Sequence, residues 1–171
     1  MKRLNKDFYL QESVELAKQL LGKTLVRKLD DYNMKKYKIT ATESYCGGED
    51  KACHASKGRT SRTEVMFQQG GKVYVYMIYG LYWMFNVVAG EENAPQAVLI
   101  CGIGDIKGSG RVGRELQIDK SFYGEDLLVS ERIWIENGDE KPNFIEKKRV
   151  GVDYAGEWKD KLWRFELIEH R

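Results

Sequence analysis

The sequence predicts an α+β fold organised around a mostly antiparallel sheet. Three observations predict it. Stretches with strand character outnumber helical ones, the chain shows no regular β-α alternation, and its 171 residues fit one domain spanning positions 1–171. A chain of this length hides about 70% of its unfolded surface, enough for a core without disulfide staples. At 42% apolar and 32% charged residues, the composition is that of an ordinary globular protein.

The elements follow in order along the chain. SVELAKQLLG, Ser13 to Gly22, reads as a short helix, with Ser13 as its cap, Val14, Ala17, Leu20 and Leu21 on one face, and Gly22 as a left-handed stop. KTLVRKL begins a strand and DDYN turns it. YKITATESY alternates with period two, which places Tyr37, Ile39, Ala41, Glu43 and Tyr45 on one face and Lys38, Thr40, Thr42 and Ser44 on the other. Glu43 then lies on the apolar face of its own strand. A lone carboxylate there costs several kcal/mol unless it is paired, so it serves either an ion pair or a function.

KVYVYMIYGLYWMFN, Lys72 to Asn86, carries four tyrosines and, after Lys72, no charge before Glu91. The uncharged run Val73 to Gly90 has the minimum length for a membrane span, but its tyrosines, Asn86 and central Gly80 fit a β-hairpin better. Tyr74, Tyr76 and Ile78 share one face, and the break at Tyr79-Gly80 puts an aromatic ring close to the tip. Val73, Val75, Met77, Leu81, Trp83 and Phe85 are expected to pack, with Tyr74 and Tyr82 at the edge of the core. AVLICGIGDI reads as a buried strand, GSGRVGRELQI as a loop opening a short helix, and ERIWIENG and DKLWRFELIEH as late strands.

A net charge of +2 excludes a global basic field. Basic residues do cluster at Lys57, Arg59 and Arg62, at Lys107, Arg111 and Arg114, and at Lys147, Lys148 and Arg149. These clusters either converge on a phosphate-binding face or stand as solvated loops. Cys46, Cys53 and Cys101 are odd in number and form no C-x-x-C pair; with only His54 and His170 beside them they read as reduced thiols, and no metal site is expected. MKRLNKDFYLQES lacks the apolar stretch of a secretion signal.

Gly108, Gly110 and Gly113 spell the G-x-G-x-x-G of dinucleotide sites, but the βαβ units that normally follow are missing, which leaves a nucleotide-dependent enzyme as a minor rival. A stronger constellation joins Glu43, Tyr45 and His54 to the aromatic hairpin. A carboxylate among aromatic surfaces suits attack by water on a centre that develops positive, sugar-like character. Flat rings suit a planar, electron-poor ligand. Removal of a damaged base from a flipped nucleotide fits these features. So does glycoside hydrolysis, with Glu49 or Asp50 as the second acid.

The blocks RLNKDFY, LAKQLLGKTLVRK, TESYCGGEDKACHAS, RTEVMF, KVYVYMIYGLYWMFNV, QIDKSFYGEDL and RVGVDYAGEW, in that order along almost the whole chain, resemble the alkyladenine (3-methyladenine) DNA glycosylase family. The resemblance implies a monofunctional base-excision enzyme with no cofactor, no metal and no Schiff-base lysine. It also implies a curved sheet in one compact domain with a protruding hairpin. Carried over by position, the general base falls on Glu43, and the backbone that helps hold the water falls on Val150. Tyr45, His54 and Tyr76 line the base pocket, and Asn86 closes it against normal guanine. Tyr79 becomes the wedge that fills the gap left by the flipped nucleotide, and Arg62 contacts phosphate or braces the site.

One departure concerns the family's V-L-I-R-A-L-E-P, written here VLICGIGDI, so that an arginine that positions water is Cys101; a family proline is likewise Ser109. Another cation, Arg111 or Arg114, then takes over, or the site is weakened, or its lesion range shifts towards cationic bases that leave easily. The implied partner is duplex DNA containing damaged bases, bound by a cytoplasmic, bacterial-type monomer without a membrane. The alternative reading is a weakened relative that mainly binds damaged DNA.

Overall fold

The computed structural model describes residues 1–138 and 142–168; His170 and the end of the last predicted strand lie outside them. Two short helices open the chain, α1 (Lys6–Tyr9) and α2 (Ser13–Leu20). Asn5 caps α1 through the Phe8 amide. Glu12, not Ser13, occupies the cap position of α2, because the Ser13 hydroxyl is turned inward to Ser44 and Cys46. Gly22 has the predicted left-handed conformation at φ +78°.

Among the described residues, nine strands follow the predicted order with two additions. They are β1 (Thr24–Asp30), β2 (Asn33–Tyr45), β3 (Val73–Ile78), β4 (Tyr82–Ala89), β5 (Gln96–Ile103), β6 (Ile106–Lys107), β7 (Ile133–Glu136), β8 (Phe144–Lys147) and β9 (Arg164–Leu167). The short β6 and the mostly exposed β8 were not legible in the sequence. Every pairing is antiparallel, in the order β3-β4-β5-β2-β1-β7. The fold is therefore α+β, a curved antiparallel sheet with short helices around it and a projecting β3–β4 hairpin. The thirteen-residue β2 is its axis. Residues 41–43 of β2 pair with β5 along one edge and with β9 along the other.

The strict alternation expected in β2 is interrupted. Its register against β5 shifts between Ile39 and Thr42, a bulge that turns the strand over. Ile39 enters the main core, and beyond the bulge Thr42 and Ser44 face α2, where Thr42 Oγ1 donates to the Ala17 carbonyl at 2.8 Å. Ala41 and Tyr45 pack on the other side in a cluster apart from the main core, with Met84, Leu99, Cys101 and Tyr76. Glu43 shares their parity, so it does not project into the main core as simple alternation implied.

The glycine-rich segment opens α3 (Ser109–Glu115) as expected, but its glycines serve packing. A Cβ at Gly113 would lie 1.9 Å from the Trp83 carbonyl oxygen, and one at Gly110 would lie 2.9 Å from the Tyr82 ring. The absence of side chains lets α3 lie directly on β4. With every strand pairing antiparallel, no βαβ unit is present among the described residues, and the dinucleotide reading of this motif is corrected. No helix among them is long and apolar enough to cross a membrane.

Candidate functional site

Glu43 is the most deeply placed of the nominated residues, with only 2% of its side chain exposed. Three donors from three segments converge on its carboxylate. The Val150 amide and Arg164 Nη1 donate to Oε1 at 2.9 and 3.0 Å, and the Tyr45 hydroxyl donates to Oε2 at 2.8 Å. Together the three donors satisfy the buried oxygens, which explains how a carboxylate is tolerated at this depth. Burial, and then the neighbouring Glu43 charge, push the Tyr45 phenol well above its usual range, so it remains a donor.

Next to this carboxylate lies a cavity of about 400 Å³. Tyr45, His54, Tyr76, Asn86, Tyr79 and Val150 all line it. Glu43 does not; it stands one layer behind, reached through Tyr45 and Val150. The bulge in β2 and the hairpin register bring these residues together. Tyr74 pairs with Asn86 and Tyr76 with Met84 across β3 and β4, on the face that looks into the cavity.

The polar groups of the cavity are tightly held. Asn86 is buried and its amide nitrogen donates to the Tyr74 carbonyl at 3.1 Å. His54 Nδ1 bonds the Tyr74 hydroxyl at 2.8 Å, and its ring meets Tyr76 edge-on at 4.5 Å between centroids. Burial, reinforced by Arg62 and Lys57, lowers the His54 pKa from 6.5 to about 4. His54 is therefore neutral at physiological pH. The linkage follows: between pH 6.5 and about 4 the unfolded chain binds a proton that the folded chain does not, so stability falls as pH drops through this window. Replacing His54 by Gln is expected to remove that part of the acid sensitivity. Urea unfolding of both proteins across the window checks it; parallel pH dependences would contradict the assignment.

At the hairpin tip Tyr79 is 90% exposed and has φ +53°, a left-handed conformation that a tyrosine adopts only under constraint. Gly80 follows at φ +62°, and the Leu81 amide closes the turn on the Ile78 carbonyl. Met77 and Leu81, expected to pack, are instead 42% and 61% exposed, because the tip projects beyond the core. Tyr74 is fully buried, not at the core edge.

The basic residues divide. Arg62 is exposed, with its guanidinium 5.3 Å from the Tyr76 ring centroid. Arg111 and Arg114 are also exposed, Arg114 over the Tyr82 ring. Neither bonds Glu43; the guanidinium at that carboxylate comes from Arg164 on β9. The third basic cluster is committed elsewhere. Lys147 pairs with Glu166 and Lys148 with Asp160, while Arg149 is wholly buried and grips both oxygens of Asp50 at 2.6 and 2.9 Å. Asp50 is thereby removed as a second acid. Arg149 also donates to the Ser44 and Trp158 carbonyls and stands 4.9 Å from the Tyr45 ring centroid.

The partners of two arginines, Arg149 and Arg164, were not legible in the sequence. The one available signal for Arg164 was its place in a predicted strand; the cross-strand partner, Glu43, lies 121 positions away.

The chain matches the family model described as Methylpurine-DNA glycosylase (MPG) over residues 7–107 and 105–171. It is 40% identical over 192 residues to a protein of Natranaerobius thermophilus, covering 98% of this chain and 96% of that one. A Legionella pneumophila (strain Lens) protein is 42% identical over 178 residues, at 99% and 97% coverage. A Clostridium novyi protein is 36% identical over 199 residues, at 100% and 98% coverage. The names of all three give them provisionally as 3-methyladenine DNA glycosylases.

Proposed function

Because the chain belongs to the methylpurine-DNA glycosylase family, we propose that it excises alkylated purines from duplex DNA by turning the damaged nucleotide into the aromatic cavity and hydrolysing its N-glycosidic bond with water activated by Glu43. Family membership makes it a hydrolase, a monofunctional DNA N-glycosylase. The observation that carries the finer reading is the Glu43 carboxylate, buried and held by three donors directly behind a cavity walled by tyrosines.

In this reading Tyr79 enters the duplex where the nucleotide leaves, which suits an exposed ring at the end of a projecting hairpin. The base stacks on Tyr45 and Tyr76. Neutral His54 and Asn86 provide fixed polar edges at its rim, and Asn86, anchored to Tyr74, screens out bases that carry an extra amino group. Water attacks C1′ as the glycosidic bond breaks. The bonding pair leaves with the base, the water oxygen bonds C1′, and the water proton passes to Glu43. A cationic 3-methylpurine thereby leaves neutral, whereas a neutral lesion needs a proton as it departs.

The alternative raised by Cys101 is a weakened relative that mainly binds damaged DNA; Arg164, which places a guanidinium on the carboxylate, supports the catalytic reading. Incubation of the protein with methylated duplex DNA is expected to release 3-methyladenine and an equal number of alkali-labile sites, with no strand breakage before alkali. Tight binding to the lesion without released base would support the binding alternative instead.

A further inference from the structure

We infer that Arg164 is a positioning residue for Glu43, so that the paired strands β8 and β9 belong to the excision site and are more than an edge of the sheet. The inference rests on the glycosylase reading.

Glu43 and Arg164 are cross-strand partners in the β2–β9 register, which fixes their proximity through the backbone. The guanidinium bridges two carboxylates. Nε donates to Glu166 Oε1 at 2.8 Å while Nη1 donates to Glu43 Oε1 at 3.0 Å. Lys147 on β8 holds the other oxygen of Glu166 at 2.7 Å. A planar fork anchored at one edge cannot rotate without breaking a bond, so Glu166 and Lys147 set the plane in which Arg164 meets Glu43. Burial pulls the Arg164 pKa down, but Cys101, Glu166 and Glu43 beside it outweigh this and hold it above its ordinary value.

The consequence is a division of labour within the Glu43 carboxylate. Oε1 is occupied by Val150 and Arg164, whereas Oε2 has only the Tyr45 hydroxyl. Oε2 is thus the oxygen with a lone pair left for the attacking water, and Arg164 aims it. The other titratable groups around Glu43 are Tyr45 on β2, Tyr76 on β3, Cys101 on β5 and Tyr154 of the Asp153–Asp160 segment. All four are weak acids whose pKa is raised chiefly by burial. Arg164 is the one cation that bonds Glu43 among the described residues.

A purely structural ion pair would stabilise the sheet equally well, so the test must separate the two roles. Single-turnover base release would be measured for wild type, Arg164→Met and Arg164→Lys, alongside melting temperature and affinity for a duplex carrying a non-cleavable abasic analogue. Arg164→Met is expected to release base about 100-fold more slowly. Its affinity should stay within about threefold of wild type. Arg164→Lys should recover about tenfold of the loss, because the charge returns without the fork. Arg164 and Cys101 line a second cavity of about 180 Å³, which truncation would enlarge, so added methylguanidine should partly restore Arg164→Gly.

The inference is overturned if Arg164→Met stays within about threefold of an active wild type. It is also overturned if the loss merely tracks a lower melting temperature, with no rescue by lysine or methylguanidine. Inactivity of the wild type itself would sink the glycosylase reading, a result distinct from either.

Discussion

Glu43→Gln is expected to slow single-turnover base release about a thousandfold, as loss of a general base commonly does, while leaving affinity for lesion-containing duplex nearly unchanged. The amide is isosteric and still accepts from Val150 and Arg164 through one atom. The Tyr45 hydroxyl can reverse from donor to acceptor and satisfy the new NH₂ group. What the amide cannot do is take the proton of water. Parallel measurement of released base and of duplex binding separates these effects. A variant that retains wild-type rate would move the chemistry away from Glu43; one that loses binding and rate together would show a structural role.

Arg149→Met is expected to destabilise the protein by about 3–5 kcal/mol, because it leaves the Asp50 carboxylate buried without its partner. For a chain of this length that corresponds to a fall in melting temperature of roughly 10 °C. Both members of the pair are fully buried, and no solvent screening softens the loss. Arg149 also ties Ser44 on β2 to the Trp158 carbonyl, and its neighbour Val150 donates to Glu43. The same substitution should therefore lower excision at temperatures where the variant is still folded. Replacing both Asp50 and Arg149 by apolar residues should cost less than either single change, since no unpaired charge remains. Urea unfolding of the three variants checks the ranking, and additive single-site losses would contradict it.

Local signals reached much of this architecture. The Ser13 helix, the aromatic hairpin with Tyr79 near its tip, the strand carrying Cys101 and the helix after Gly108 all depend on short-range periodicity and turn residues. The isolation of Glu43 on an apolar strand was also legible, because a buried carboxylate is conspicuous in its own sequence context. Its true surroundings were not. The bulge near Thr40 reverses which side chains share a face, and nothing in YKITATESY marks it. Arg164 and Arg149 look like ordinary basic residues near the end of the chain; only the pairing of β9 with β2, and the return of the Lys148–Val150 segment to Asp50 and Glu43, give them their roles. The G-x-G-x-x-G pattern failed for a related reason. Glycine permits close approach to any neighbour, and here the neighbour is the backbone of β4.

The most direct test of the central claim is the crystal structure of Glu43→Gln bound to duplex DNA containing an uncleaved 3-methyladenine analogue. The damaged base is expected in the cavity against Tyr45 and Tyr76, with Tyr79 in the gap it leaves and its C1′ facing the side chain at position 43. A lesion still stacked in the duplex, or lodged away from Tyr45 and Tyr76, would contradict the account.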